Sequence, residues 1–119
     1  MKTMKIILDT NELMAQAQFR TPILEELAGN ELYILEGCVR ELKGIANSKK
    51  KDAPAAAVAL ELLKKKGIKI IPDNGKVDDA LVAQGKRGYA VATNDRELIK
   101  RLRSHDIKVL RLRQKRVVE

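Results

Sequence analysis

The sequence has no tryptophan, two tyrosines and one phenylalanine. So few aromatic rings leave no platform on which successive bases could stack. The core must instead come from Leu, Ile, Val and Ala. A hydrophobic share of 45% is enough to build one, which argues against global disorder. The one cysteine, Cys38, cannot close an intramolecular disulfide, so the chain suits a reducing cytoplasm. No apolar run approaches the ~20 residues of a membrane span. The N-terminus reads as a strand and lacks the apolar segment of a signal peptide. There is no Gly-rich phosphate-cradling loop of the Walker type either.

What the sequence has in excess is positive charge. Lys and Arg number 24 against 16 Asp and Glu, a formal net charge of +8. Such a surplus attracts polyanions, of which nucleic acid is the commonest in a cytosol. A solvated Lys- and Glu-rich surface, as in heat-adapted proteins, is the competing explanation. Much of the excess lies late in the chain. Between Arg96 and Glu119 there are nine basic residues and three acids.

Apolar runs and turn residues divide the chain into alternating elements. Met4–Leu8 reads as a buried strand that stops at Asp9-Thr10-Asn11. Leu13–Gln18 is a short helical stretch. Thr21-Pro22 opens the next helix, with Thr21 as its cap, and Gly29-Asn30 ends it. Leu32–Leu35 is a second strand, followed by a helix over Cys38–Ala46. Asp52 is placed to cap a helix over Ala53–Lys66, closed by Gly67. Ile68–Ile71 is a third strand, ended by Pro72-Asp73-Asn74-Gly75. A helix over Val77–Lys86, ending near Gly88, leads to a fourth strand, Tyr89–Ala92. Asn94 and Glu97 have capping-box spacing, which predicts a helix from there to Ser104. Lys108–Leu112 is a fifth strand. Its alternation of Leu110 and Leu112 with Arg111 and Arg113 suggests one solvated face, as on an edge. Regular strand–helix alternation implies an α/β sandwich, a parallel sheet with helices on both faces. No linker or repeat interrupts it, so residues 1–119 read as one domain.

This topology gathers acids. Strand C-terminal ends and the helix starts that follow them share one edge of a parallel sheet, the edge where such sheets bind ligands. Asp9 follows the first strand, and Glu41 lies early in the helix after the second. Asp78 and Asp79 open the helix after the third, and Asp95 follows the fourth. Clustered carboxylates raise one another's pKa values unless a cation relieves the repulsion. Oxygen donors without Cys or His partners favour Mg²⁺ or Mn²⁺. Such an ion can activate water for attack on a phosphodiester. Taken singly, each acid has an ordinary alternative: a turn cap for Asp9, a helix-dipole partner for Asp95, a solvated helix residue for Glu41 and Asp79. Their shared edge is what singles them out.

Four segments also carry a family likeness. Ile6-Ile7-Leu8-Asp9-Thr10-Asn11 resembles the opening motif of PIN-domain nucleases. Val39-Arg40-Glu41-Leu42, Asp79-Ala80-Leu81-Val82-Ala83 and Ala92-Thr93-Asn94-Asp95-Arg96-Glu97-Leu98 are similar to three later motifs of that family, in the same order. The resemblance implies a five-stranded parallel sheet of order 3-2-1-4-5. It also implies an Mg²⁺- or Mn²⁺-dependent endoribonuclease acting on RNA, with Asp9, Glu41, Asp79 and Asp95 as its metal-holding catalytic acids. The "D-A-L-V-A" frame selects Asp79 over Asp78. Thr10, Asn11, Thr93 and Asn94 fall on the supporting polar positions. Lys49-Lys50-Lys51 and the basic C-terminus are more similar to the archaeal branch related to Fcf1/Utp24 ribosomal-RNA-processing nucleases than to VapC toxins. For the family, a homodimer and a protein partner (an assembly factor or an antitoxin) are open; no stripe in the sequence demands either.

Arg96 stands nearest the expected site as a phosphate contact, and Lys49 and Lys50 could flank an RNA path. For all three, a solvated surface residue is the alternative. His105 reads as a helix-end residue rather than a general base, and Cys38 as buried packing. Two further readings compete with the nuclease: a non-catalytic RNA-binding scaffold, which needs the basic face but no metal, and a toxin restrained by an antitoxin. A CheY-like receiver also gathers acids at strand ends. It expects paired acids after the first strand, where Asp9 stands alone.

Overall fold

The computed structural model describes residues 3–19, 22–73, 75–113 and 116–119. The elements run β1 (Lys5–Leu8), α1 (Thr10–Phe19), α2 (Ile23–Glu26), β2 (Glu31–Leu35), α3 (Glu36–Ala46), α4 (Ala53–Lys65), β3 (Lys69–Ile71), α5 (Val77–Lys86), β4 (Ala90–Ala92), α6 (Arg96–Ser104), β5 (Val109–Arg113) and β6 (Arg116–Val118). The strands form one sheet of order β3-β2-β1-β4-β5-β6. β1 to β5 are mutually parallel, in a register that pairs Ile7 with both Tyr33 and Val91. Ile6, Ile7, Leu8, Ile34, Leu35 and Val91 are fully buried, because a central parallel strand is covered on both faces. Helices α1, α3 and α4 pack together, and α5 packs on α6. The chain reverses direction across β1, where β3 crosses to β4, and right-handed crossovers then place the two helix groups on opposite faces.

The expected α/β sandwich and the order of its first five strands are present, with one addition. β6 pairs antiparallel with β5, joining Arg111 to Val118 and Leu112 to Val117. β5 is therefore not the edge strand its alternation suggested. The two residues between β5 and β6, Gln114 and Lys115, lie outside the described residues and include no Gly or Asn of the kind that announces a tight hairpin. Thr21, the expected cap of the second helix, and Asn74, in the turn after β3, also lie outside them. α2 itself is a single turn that begins after Pro22.

Two helix starts and one cap differ from the local reading. α1 begins at Thr10 rather than Leu13, because the Asp9 carbonyl accepts from the Glu12 and Leu13 amides at 3.1 and 3.4 Å. α3 begins at Glu36, directly after β2. Its orphan Gly37 amide is satisfied by Asp73 Oδ2 at 2.7 Å, from the loop after β3. Asp52 occupies the cap position of α4 but makes no capping bond. Its carboxylate accepts from Gln18 Nε2 at 3.0 Å and ties α4 to α1. The helix ends follow the sequence more closely. Gly67 and Gly88 adopt φ of +62° and +104°, which costs glycine little.

Gly85 lets α5 pack closely against Ile107. A Cβ there would fall 2.6 Å from two side-chain carbons of Ile107, which is itself buried. Gly85→Ala should gain up to ~1 kcal/mol of helix propensity and lose about 1–3 kcal/mol to overpacking. The expected net result is a lower urea-unfolding midpoint. An unchanged or higher midpoint would show that Ile107 yields freely.

Candidate active site

Asp9 is where the acid edge begins. Its amide donates to the Ala92 carbonyl at 3.0 Å, which fastens the end of β1 to the end of β4. Its carboxylate is held at both oxygens. Oδ1 accepts from the Thr10 amide and Oδ2 from the Thr93 hydroxyl, each at 2.8 Å. Thr93 is fully buried, and the same hydroxyl accepts from the Asp95 amide at 3.2 Å. One threonine thus fixes Asp9 against the loop that carries Asp95. Asp95 in turn starts α6, its Oδ1 accepting from the Leu98 amide at 3.1 Å. That is the N-cap role expected of Asn94. The Asn94 amide group pairs instead with the Leu112 backbone, one bond to the carbonyl and one from the amide, both 2.7 Å. It clamps the β4–α6 loop to β5.

The acids act on one another. Burial raises the Asp9 pKa, the Thr93 and Thr10 bonds oppose the rise, and the Asp78 and Asp95 charges add to it. The Glu41 carboxyl is raised by partial burial, then by Asp9 and Asp78, against the opposing Thr10 hydroxyl. That hydroxyl is buried and has no partner within standard hydrogen-bond geometry, although it lies beside Glu41 and the Cys38 thiol. Burial pushes Cys38 up to about 11, so it is an inert thiol at neutral pH.

Asp9 thus feels the charges of Asp78 and Asp95, and Glu41 those of Asp9 and Asp78, whereas Asp79 is not among the charges acting on either. Asp79 is well exposed and pairs with Arg101 Nη2 on α6 at 2.7 Å. Neighbouring helix residues point about 100° apart, which lets Asp78 act on Asp9 while Asp79 reaches Arg101. Asn11 is exposed and makes no side-chain hydrogen bond among the described residues. Lys49 and Lys50 lie in the α3–α4 connection, and no described bond or ion pair joins them to the acids. Arg96 is the exposed first residue of α6, next to Asp95. His105 caps the far end of that helix.

Glu12 was missed by the sequence reading. It is only 3% exposed, and burial followed by the Asp9 charge raises it to about 7. The signal was present: an acid three residues after a helix-starting aspartate returns to the same face.

These donors suit a hard divalent cation. All are carboxylate oxygens, their ionised forms are mutually disfavoured, and an unpartnered Thr10 hydroxyl lies among them. Among the described residues, no three Asp, Glu, His or Cys side chains already lie close enough to grip one ion. Binding would require the exposed Glu41, Asp78 and Asp95 side chains to turn toward the fixed Asp9.

None of the curated proteins compared with the chain matches it. Solved structures do. The PIN domain endonuclease Utp24 superposes with a TM-score of 0.71 at 23% identity, over 95% of this chain and 88% of that one. A domain of a functionally unknown protein from Methanocaldococcus jannaschii DSM 2661 gives 0.70 at 17% identity, over 93% and 92%. At these identities the likeness is one of fold. A sequence model of the PIN like domain matches residues 6–115, from β1 to the end of the sheet's parallel part and beyond. With that match over nearly the whole chain, the protein belongs to the PIN-like domain family.

Proposed function

We propose that the chain is a divalent-metal-dependent endoribonuclease that hydrolyses single-stranded RNA at the Asp9 site. The observation that carries this reading is the Asp9 carboxylate. It is buried at a strand end, fixed by Thr93 and Thr10, and surrounded by the charges of Asp78, Asp95 and Glu41. The basic surplus supplies the attraction for a polyanion. Asp9 and Asp95 would hold Mg²⁺ or Mn²⁺ centrally, with Glu41 and Asp78 completing the set. When bound, the ion would supply water activation and stabilise charge on the phosphodiester. The chain's own groups have separate tasks. Thr93 keeps Asp9 and the Asp95 loop in fixed relation, the Thr10 amide steadies Asp9, and Arg96 meets a phosphate beside Asp95. The same reading takes residues 1–119 as one domain working on RNA in the cytoplasm. Its Lys-rich 49–51 segment and basic C-terminal third favour RNA processing over a toxin.

The test is cleavage of a single-stranded RNA with Mn²⁺ and with EDTA, alongside two adjacent variants. Cleavage should need the metal. Asp78→Asn should lower its rate roughly 10–100-fold, the scale for a lost ligand or ligand support. Asp79→Asn should leave the rate within a factor of about 3. Cleavage that persists in EDTA would defeat the proposal. Loss confined to Asp79→Asn would return the metal role to the residue singled out by the family frame. Calorimetric titration with Mn²⁺ separates an enzyme from a scaffold, which should bind no ion.

A further inference from the structure

The cations of α6 fall into two groups. Arg101 is spent on Asp79. Arg96, Lys100 and Arg103 are exposed, and none is in an ion pair among the described residues. Their spacing of four and three places them on one helical stripe. That stripe faces β5, where Arg111 is half-buried and its Nε has no hydrogen-bond partner among the described residues. Between them runs an open cavity of about 500 Å³ lined by Arg96, Ile99, Lys100, Arg103 and Arg111. A smaller one of about 200 Å³ continues it to Asn94, beside Thr93 and Asp95. Among the described residues, no acid lines either cavity. Lys100 also borders the groove that reaches Asp78.

A concave surface with four cations and no counter-charge attracts a chain of anions. From Arg96 to Arg103 the helix rises ~10 Å, about three nucleotides of a stacked strand at ~3.4 Å each. The lining holds no aromatic ring, so contact would be to the backbone rather than to bases. We propose that this groove seats the sugar–phosphate backbone of a single RNA strand beside the Asp9 site, with Arg96, Lys100, Arg103 and Arg111 each facing a phosphate.

The proposal rests on the nuclease reading for its purpose, but its test does not. Binding of a fluorescein-labelled oligouridylate is followed by anisotropy in EDTA across a salt series. Each phosphate neutralised on a single strand contributes about 0.7 to the slope of log affinity against log salt. The triple variant Arg96→Ala, Lys100→Ala, Arg103→Ala should lower that slope by about 2, and Arg111→Gln by about 0.7. A charge-matched control at the end of α4, Lys64→Ala, Lys65→Ala, Lys66→Ala, should leave it unchanged. Arg111→Lys should restore most of the slope, which excludes a folding defect as the cause. Equal small losses from both triples would overturn the groove and leave only the attraction of net charge. A duplex bound as tightly and as salt-sensitively would overturn the single-strand assignment. RNA that binds through these residues yet survives with Mn²⁺ would support the groove and overturn the nuclease reading alone.

Discussion

Asp9→Asn is expected to fold, to bind no Mn²⁺ in calorimetry and to lose RNA cleavage by at least two to three orders of magnitude. The substitution keeps size and shape and removes one charge. The Thr93 hydroxyl can rotate to accept from the new amide group while the Thr10 amide still donates to the carbonyl oxygen, so the β1–α1 corner keeps its bonds. Burial and the charges of Asp78 and Asp95 disfavour the ionised carboxylate, so its loss should raise the thermal midpoint slightly. The loss of activity has a separate origin. Asp9 is the acid that packing has already fixed, whereas Asp95 and Asp78 are exposed and, on the proposed reading, would have to turn toward it. Removing the fixed member removes the reference point of the set. Cleavage within threefold of the parent would place the chemistry elsewhere. An unfolded variant would be recognised by circular dichroism and replaced by Thr93→Val, which removes the hydroxyl that positions Asp9.

The second large effect concerns Glu12, and its sign follows from proton linkage. Its carboxyl titrates at about 7 in the fold and near the ordinary 4.5 when unfolded. Between those values the folded chain binds more protons than the unfolded one. The stability associated with that proton is complete below pH 4.5 and lost as pH rises through 7. Asp9 and Glu41, also raised, push in the same direction above their ordinary values. Glu12→Gln should therefore be near neutral at pH 5 and stabilising at pH 8. At about 1.4 kcal/mol per pKa unit, the gain at pH 8 is about 3–4 kcal/mol. For a domain of this size that is on the order of 10 °C in thermal midpoint. Added Mg²⁺ should narrow the gap by favouring the ionised acids of the parent. A variant equally shifted at both pH values would mean that Glu12 is ionised in the fold. A buried acid that destabilises the folded chain at neutral pH is the kind of cost proteins carry at functional sites.

Much of the architecture was legible because it is written in near neighbours. The apolar runs gave β1 to β5, and Gly67 and Gly88 marked helix ends where a left-handed residue is needed. Asp9 stood out as a polar residue at the end of a buried strand. The local reading failed where a side chain had two possible partners and the distant one won. Asn94 has capping-box spacing with Glu97, yet it bonds Leu112, 18 residues away, and Asp95 caps α6. Asp52 was placed to cap α4 but binds Gln18, 34 residues back. Gly37 is capped by Asp73 from 36 residues on, which no local pattern announces.

The sequence alone determined that strands and helices alternate and that acids cluster at the strand ends, because periodicity and chain direction follow from adjacent residues. Only the tertiary structure decided which acids meet. The family frame points to Asp79, whereas in the fold Asp79 pairs with Arg101 and it is the Asp78 charge that acts on Asp9. Thr93 reaches Asp9 across 84 residues of sequence, and Glu12 became part of the site only when packing closed over it. The Arg96, Lys100 and Arg103 stripe became a groove only when β5 brought the half-buried Arg111 beside it. Contacts of that kind depend on how the sheet brings remote segments together, and a one-dimensional pattern does not contain those distances.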